Sequence, residues 1–113
     1  MNVWALIGLT AIAVSVATAI SMHLCAKGIL TPASWAGFGA TGPLADPAGW
    51  QRGHRATLPV IWAGTSITVA VVLAGWFVSG FEPESGPWTL VGLLVFAVTL
   101  MVGSTIARRN ARR

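Results

Sequence analysis

Four side chains that could do chemistry stand close together in the middle of the chain: Trp50, Arg52, His54 and Arg55. Guanidinium groups bind carboxylates and phosphates, and an imidazole can carry a proton or hold a metal. Trp50 and His54 are four residues apart, so a helix would place them on one face. One interpretation of the cluster is an exposed docking site for an acidic partner or for lipid phosphate, although the residues alone favour the alternative. The alternative is an interfacial anchor at Trp50 with both arginines reaching for headgroups.

Acid–base catalysis would need a carboxylate near a histidine, and the acids of this chain are poorly placed for it. Asp46 and His54, eight residues apart on one helix, would be separated by about 12 Å. Asp46 precedes Pro47, a pair typical of a helix N-cap and first helical residue. Glu82 and Glu84 lie in a different connection. We therefore expect no enzymatic activity.

A metal site is the second chemistry to weigh, because His23, Cys25 and His54 offer imidazole and thiolate ligands for zinc or copper. No second cysteine supports the His23-x-Cys25 pair, and no carboxylate stands beside it. The lone cysteine also excludes an intrachain disulfide. We expect no metal and no cofactor.

The composition is that of a membrane protein. Of 113 residues, 55% are hydrophobic and only 9% are charged, whereas a soluble domain carries about 25% charged residues. So few charges cannot cover a surface that faces water, which excludes a typical soluble enzyme and a disordered tail. The net charge of +4 reflects a scarcity of acids, so we expect no nucleic-acid partner.

Three uncharged apolar runs predict membrane-spanning helices at about residues 3–24, 57–78 and 88–107. About 20 residues of helix cross a hydrocarbon core roughly 30 Å thick, and a chain within lipid must be helical to pair its backbone. The first run lacks the positive start of a signal peptide and is predicted to be retained. The fold class is thus an all-α integral membrane protein with one domain.

The connections predict the orientation. Residues 25–56 read as a long loop rich in glycine and proline, although the Asp46-Pro47 pair favours a helix that begins at Pro47; residues 79–87 read as a short outer loop. The long loop and the tail 108–113 hold every lysine and arginine, and such residues collect on the cytoplasmic side. This places the N-terminus outside and the C-terminus in the cytoplasm, with the tail arginines against anionic headgroups.

Small and aromatic residues predict how the helices sit. Tryptophans near the span ends are expected to act as interfacial anchors: Trp4, Trp62, Trp76 and Trp88. Stripes of small residues mark contact faces between membrane helices: Thr10, Ser15, Thr18 and Ser21; Gly64, Thr68, Gly75 and Ser79; Gly92, Thr99 and Gly103. These stripes fit either a compact three-helix bundle or a homo-oligomer, and the sequence leaves both open.

The segment from Gly37-Phe38 through the string 46–56, with Trp50 followed by the pair His54-Arg55, resembles the signature of the SdpI/YhfL family. There a cytoplasmic loop reads roughly Gly-Ile-Arg-Thr-Pro, then a gap, a tryptophan and a His-Arg pair before the next span. The resemblance extends over nearly the whole chain. This chain departs from the pattern at Gly39, where the family has arginine, and its proline is shifted to Pro43.

The resemblance implies a three-span protein of the bacterial inner membrane. One family member gives immunity to a secreted, membrane-active peptide and captures a transcriptional repressor at the membrane. By this analogy the partners are membrane lipids and a toxic peptide or a cytoplasmic regulator, and the partner-binding residues are Gly37, Trp50, Arg52, His54 and Arg55. Loss of the family arginine at Gly39 puts that function in question. The rival interpretation is a structural accessory subunit of a larger membrane complex.

Overall fold

The computed structural model of the chain describes residues 3–31, 37, 42–79 and 86–112. They form helix α1 (Val3–Ala26), a short 3-10 helix (Gly42–Ala45), helix α2 (Pro47–Ser79) and helix α3 (Gly86–Ala111), with no strand in this part of the chain. Each α-helix is long and apolar enough to cross a membrane. The predicted all-α fold with three membrane-length helices is thereby confirmed, and its make-up is that of a multi-pass membrane protein.

The bounds predicted for the long loop, residues 25–56, are wrong at both ends. Helix α1 continues to Ala26, and α2 begins at Pro47, so Trp50 and the residues after it are helical. The predicted cap explains the second boundary, because the Gly49 N–H donates to Asp46 Oδ2 at 3.1 Å. The departures from the family pattern at 39–41 and the glutamates at 82 and 84 lie outside the described residues.

Helix α1 ends in a hydrogen-bonded turn closed by a glycine. The Ile29 N–H donates to Leu24 O at 3.0 Å, and the Gly28 N–H donates to Cys25 O at 3.1 Å. Gly28 has a φ of +79°, so glycine serves at the left-handed position of this Schellman motif. These bonds satisfy the carbonyls of Leu24 and Cys25 near the end of α1.

Helix α2 is the central element, with 33 residues. At 1.5 Å per residue it measures about 50 Å, well beyond a hydrocarbon core of roughly 30 Å, so part of it must extend outside. Its uncharged stretch starts after Arg55, and the helix continues through Pro59. We infer that its first turns, with the arginines, are the part outside the core.

Small residues set the packing of α2 on its neighbours. A Cβ added at Gly64 would collide with Thr99, and one added at Gly92 would lie 2.9 Å from Val72 Cγ2. On the other side of α2, the Thr65 hydroxyl donates to Ser15 O at 3.3 Å. The small-residue stripes of α2 and α3 therefore face each other inside one chain, as the bundle interpretation requires.

Three of the tryptophans gather at the end of the bundle where α1 begins, α2 ends and α3 begins. Each lies against a glycine of another helix: Trp4 on Gly86, Trp76 on Gly8 and Trp88 on Gly75. These side chains thus pack the helices together at this end of the bundle.

Candidate functional site

The opposite end of the bundle brings together the end of α1, the start of α2 and the end of α3. A buried cluster joins them, formed by Cys25, Leu44, Trp50, Ala107 and Ala111. This end also collects every lysine and arginine that the structure describes: Lys27, Arg52, Arg55, Arg108, Arg109 and Arg112. Asp46 is the one acidic side chain among the described residues. We call this region the basic end.

Trp50 is the largest buried side chain of the basic end. It is 1% exposed, and its indole N–H donates to Leu30 O at 2.8 Å. A buried indole N–H needs such a partner. The bond ties the first turn of α2 to the segment that follows α1, so Trp50 fixes the connection between these helices.

His54 lies one turn further along α2 and is fully buried. Its Nδ1 is 2.7 Å from Trp50 O, and because a carbonyl only accepts, Nδ1 carries the proton. The two rings are 4.3 Å apart between centroids and tilted by 48°. The imidazole is thus oriented by the backbone of α2 and by the indole beside it.

Gly37 completes this group of three, which we call the Trp–His cluster. A Cβ at Gly37 would lie 2.5 Å from His54 Nε2 and 2.9 Å from Trp50 Cη2. The φ of Gly37 is +78°, a region that side-chain-bearing residues rarely enter. Only glycine fits here, because both the space and the backbone conformation exclude a larger residue.

Arg52 connects α2 to the end of α3. Its Nε donates to Asn110 O at 3.2 Å, and its Nη2 donates to Ala111 O at 2.8 Å. These two carbonyls belong to the last turn of α3 and have no hydrogen-bond partner within the helix. A cation beside them also interacts favourably with the negative end of the helix dipole. Gly53 allows the approach, since a Cβ there would lie 2.6 Å from Ala107 O.

Arg55 takes no part in this connection to α3. It is exposed, and no described residue accepts a hydrogen bond from it. With Pro47, Ala48, Gln51 and Arg52 it lines a pocket of about 430 Å³ on the outer face of the first turns of α2. This pocket is the part of the predicted site that an outside ligand can reach.

The structure therefore divides the predicted partner-binding residues. Gly37, Trp50 and His54 are brought together, but Trp50 and His54 face inward, so the expectation of an exposed cluster is wrong for them. A spacing of four residues indicates that two side chains share one face of a helix, but it does not indicate whether that face is buried or exposed. Leu30, Gly53 and Asn110 were missed because they take part through backbone atoms or through a missing side chain.

The other candidate residues hold structural positions. The His23 ring meets Trp62 edge-on at 6.3 Å, Cys25 is buried in the cluster of the basic end, and Asp46 caps α2. Within residues 3–31, 37, 42–79 and 86–112, no three His, Cys, Asp or Glu side chains come together as a metal site would require.

Comparisons with protein-family models, curated proteins and solved structures gave no match for this chain.

Proposed function

We propose that the chain is a non-enzymatic bacterial membrane protein of the SdpI/YhfL immunity and signalling type, which holds an acidic cytoplasmic regulator at its basic end. Its N-terminus lies outside the cell and its basic end in the cytoplasm, as the positive-inside rule predicts. The Trp–His cluster and Arg52 hold the end of α1, the start of α2 and the end of α3 together. The exposed cations bind the partner.

One observation carries this proposal: the described cations all lie at one end of the bundle, opposed there by Asp46 alone among the described acids. A surface of one sign attracts an oppositely charged partner and repels others. Arg109, in the last turn of α3, and Arg112, directly after the helix, are both exposed. Arg108 is used within α3, where it donates to the Ser104 hydroxyl, so Arg109 and Arg112 are the arginines of the tail best placed for a partner.

Site-specific photo-crosslinking tests the proposal. A photoreactive residue replaces Arg109 at the basic end or Phe77 near the opposite end, where the side chain is 89% exposed. In the native bacterium we expect position 109 to capture an acidic soluble protein that position 77 does not capture. The pair Arg109→Glu and Arg112→Glu should abolish this capture when the probe is moved to Lys27.

The same crosslinks separate the rival interpretation. Capture of integral membrane proteins from both positions, unchanged by the charge reversal, would replace the regulator by a membrane complex in which this chain is an accessory subunit. Lipid products alone at position 109 would also contradict a regulator-binding role.

The immunity part of the proposal has its own test. Cells with and without the protein are challenged with peptides secreted by the same species, and the membrane potential is recorded. We expect the potential to be preserved only in the cells that express the protein. Equal collapse in both would remove the immunity role and leave regulator binding to be judged by the crosslinks.

A further inference from the structure

His54 is a titratable group enclosed where the start of α2 meets the connection from α1. Its side chain is fully buried, its Nδ1 donates to Trp50 O at 2.7 Å, and its ring lies 4.3 Å from the Trp50 indole. Because Nδ1 carries the proton of the neutral ring, a second proton must be added at Nε2. Gly37 packs against that nitrogen, since a Cβ there would lie 2.5 Å from Nε2. A second proton would therefore place a positive charge at the contact between α2 and the connection.

The ionisable groups around His54 offer nothing to balance that charge. Residues 28–45, which join α1 to α2, contain no acidic or basic residue. Asp46 caps α2 and is about 12 Å from His54 along the helix, and the two glutamates come after the opposite end of α2. None of the other titratable or charged side chains that the structure describes at this end is a carboxylate: His23, Cys25 and Lys27 from α1 and its turn, Arg52 and Arg55 from α2, and Arg108, Arg109 and Arg112 from α3 and the residue after it.

An imidazolium is strongly disfavoured in these surroundings. Burying an ionised group without an opposite charge costs far more than burying a neutral one, and like charges nearby add to that cost. An imidazole that is open to water takes up a proton at the ordinary histidine pKa of about 6.5. The open form of this end therefore binds a proton that the closed form does not bind. The closed form is fully favoured above about pH 6.5 and loses stability relative to the open form as the pH falls below it.

We propose that His54 makes the opening of the basic end pH-dependent, because the closed Trp–His cluster excludes a proton that the open cluster takes up. Trp50 leaves together with His54, since the two rings are in contact, and its bond to Leu30 O is then lost. That bond ties the connection after α1 to the first turn of α2, so its loss exposes the buried cluster that includes Cys25. The inference goes beyond the proposed function, because it concerns the state of the basic end whichever partner binds there.

The test uses the purified full-length protein in micelles and measures how strongly the fold protects Cys25 from a maleimide. Protection is the labelling rate in denaturant divided by the labelling rate in the folded protein at the same pH, which corrects for the pH dependence of the thiol itself. His54→Gln removes the titratable ring and keeps a side chain that can donate a hydrogen bond. His23→Gln removes the other histidine of the chain and is the matched control.

We expect the protection of Cys25 in the wild type to fall about tenfold between about pH 7.5 and about pH 5.5. This is the change produced when one imidazole takes up a proton in the open form alone. His23→Gln should show the same fall. His54→Gln should change less than about twofold over this range, because it binds no proton there.

Protection that stays constant in the wild type, or that falls equally in His54→Gln, would overturn the proposal. Wild-type protein with 15N-labelled histidines provides a second measurement that does not depend on the folding of His54→Gln. The nitrogen signals of His54, identified by comparison with His23→Gln, should remain those of the neutral ring at every pH where Cys25 is protected. An imidazolium signal from His54 in the protected protein would show that the closed cluster accepts the proton, and the proposal would fail.

Discussion

The basic end and the middle of the bundle are held together by different means. At the basic end the Trp50 indole and the Arg52 guanidinium donate to carbonyls of neighbouring segments, and the buried His54 imidazole donates to a carbonyl of its own helix. In the middle, α2 and α3 pack closely because glycines at their contact have no side chain. Thr99, for example, packs directly against Gly64.

The difference follows from the solvent around each region. Lipid tails are as apolar as leucine, so helices within the membrane associate through close packing, which small residues permit. Near the aqueous surface large side chains gain from burial, and carbonyls at helix ends need partners. Substitutions in the two regions should therefore destabilise the protein in different ways. The buried thiol of Cys25 can show which region opens, because it reacts with a thiol reagent only when the basic end is exposed.

Trp50→Ala should have the largest effect. It removes a buried indole and its bond to Leu30 O, and truncation of a buried aromatic costs about 3–5 kcal/mol. We expect a lower unfolding temperature in micelles and rapid maleimide labelling of Cys25 at temperatures where the wild type is protected. Trp50→Phe, which keeps most of the apolar surface, serves as the comparison. Slow labelling of Cys25 in Trp50→Ala would contradict a role for the indole in closing the basic end.

Gly64→Val comes next. The added side chain would collide with Thr99, and overpacking of this kind costs about 1–3 kcal/mol. The variant should unfold at a lower temperature while Cys25 stays protected below the transition, since the damage lies in the middle of the bundle. Ala70→Val, on an exposed face of the same helix, should leave stability unchanged. Early exposure of Cys25 in Gly64→Val would show that the two regions are not independent.

Gly37→Ala should destabilise by about 1–2 kcal/mol, because alanine must adopt a left-handed conformation. The new Cβ also approaches His54, so the double variant with His54→Ala should lose less stability than the sum of the single losses. Thermal unfolding of the four proteins in this cycle measures the coupling. Strict additivity would mean that Gly37 and His54 do not touch in the folded protein.

Arg52→Gln should have the smallest effect, about 1 kcal/mol, as expected for the loss of hydrogen bonds to helix-end carbonyls. The loss is local, so hydrogen exchange should rise at the amides of the last turn of α3. Arg55→Gln removes an equal charge from a neighbouring position that makes no such bonds and should leave this exchange unchanged. The assignment of Arg52 as the cap of α3 fails if both variants exchange alike.

The predictions from sequence succeeded where the physics is local. Asp46 and Pro47 mark the start of α2 through their own side chains, and the apolar runs identify three membrane-length helices. The Lys27-Gly28 pair would have located the end of α1 as well, since a basic residue followed by glycine is a common helix ending. The loop is shorter than predicted because α2 continues beyond its uncharged stretch and includes Arg52 and Arg55 in its first turns.

Composition and hydropathy along the chain determined that this is a membrane protein with three membrane-length helices, and that its cations lie between the first two helices and after the third, because the cost of placing charge in lipid applies residue by residue. Only the tertiary structure decided that Trp50 and His54 face inward with Gly37 beside them. It also decided that Arg52 serves α3 while Arg55 stays exposed. These outcomes depend on contacts between residues far apart in the chain, such as Arg52 and Ala111, which a pattern of neighbours does not encode.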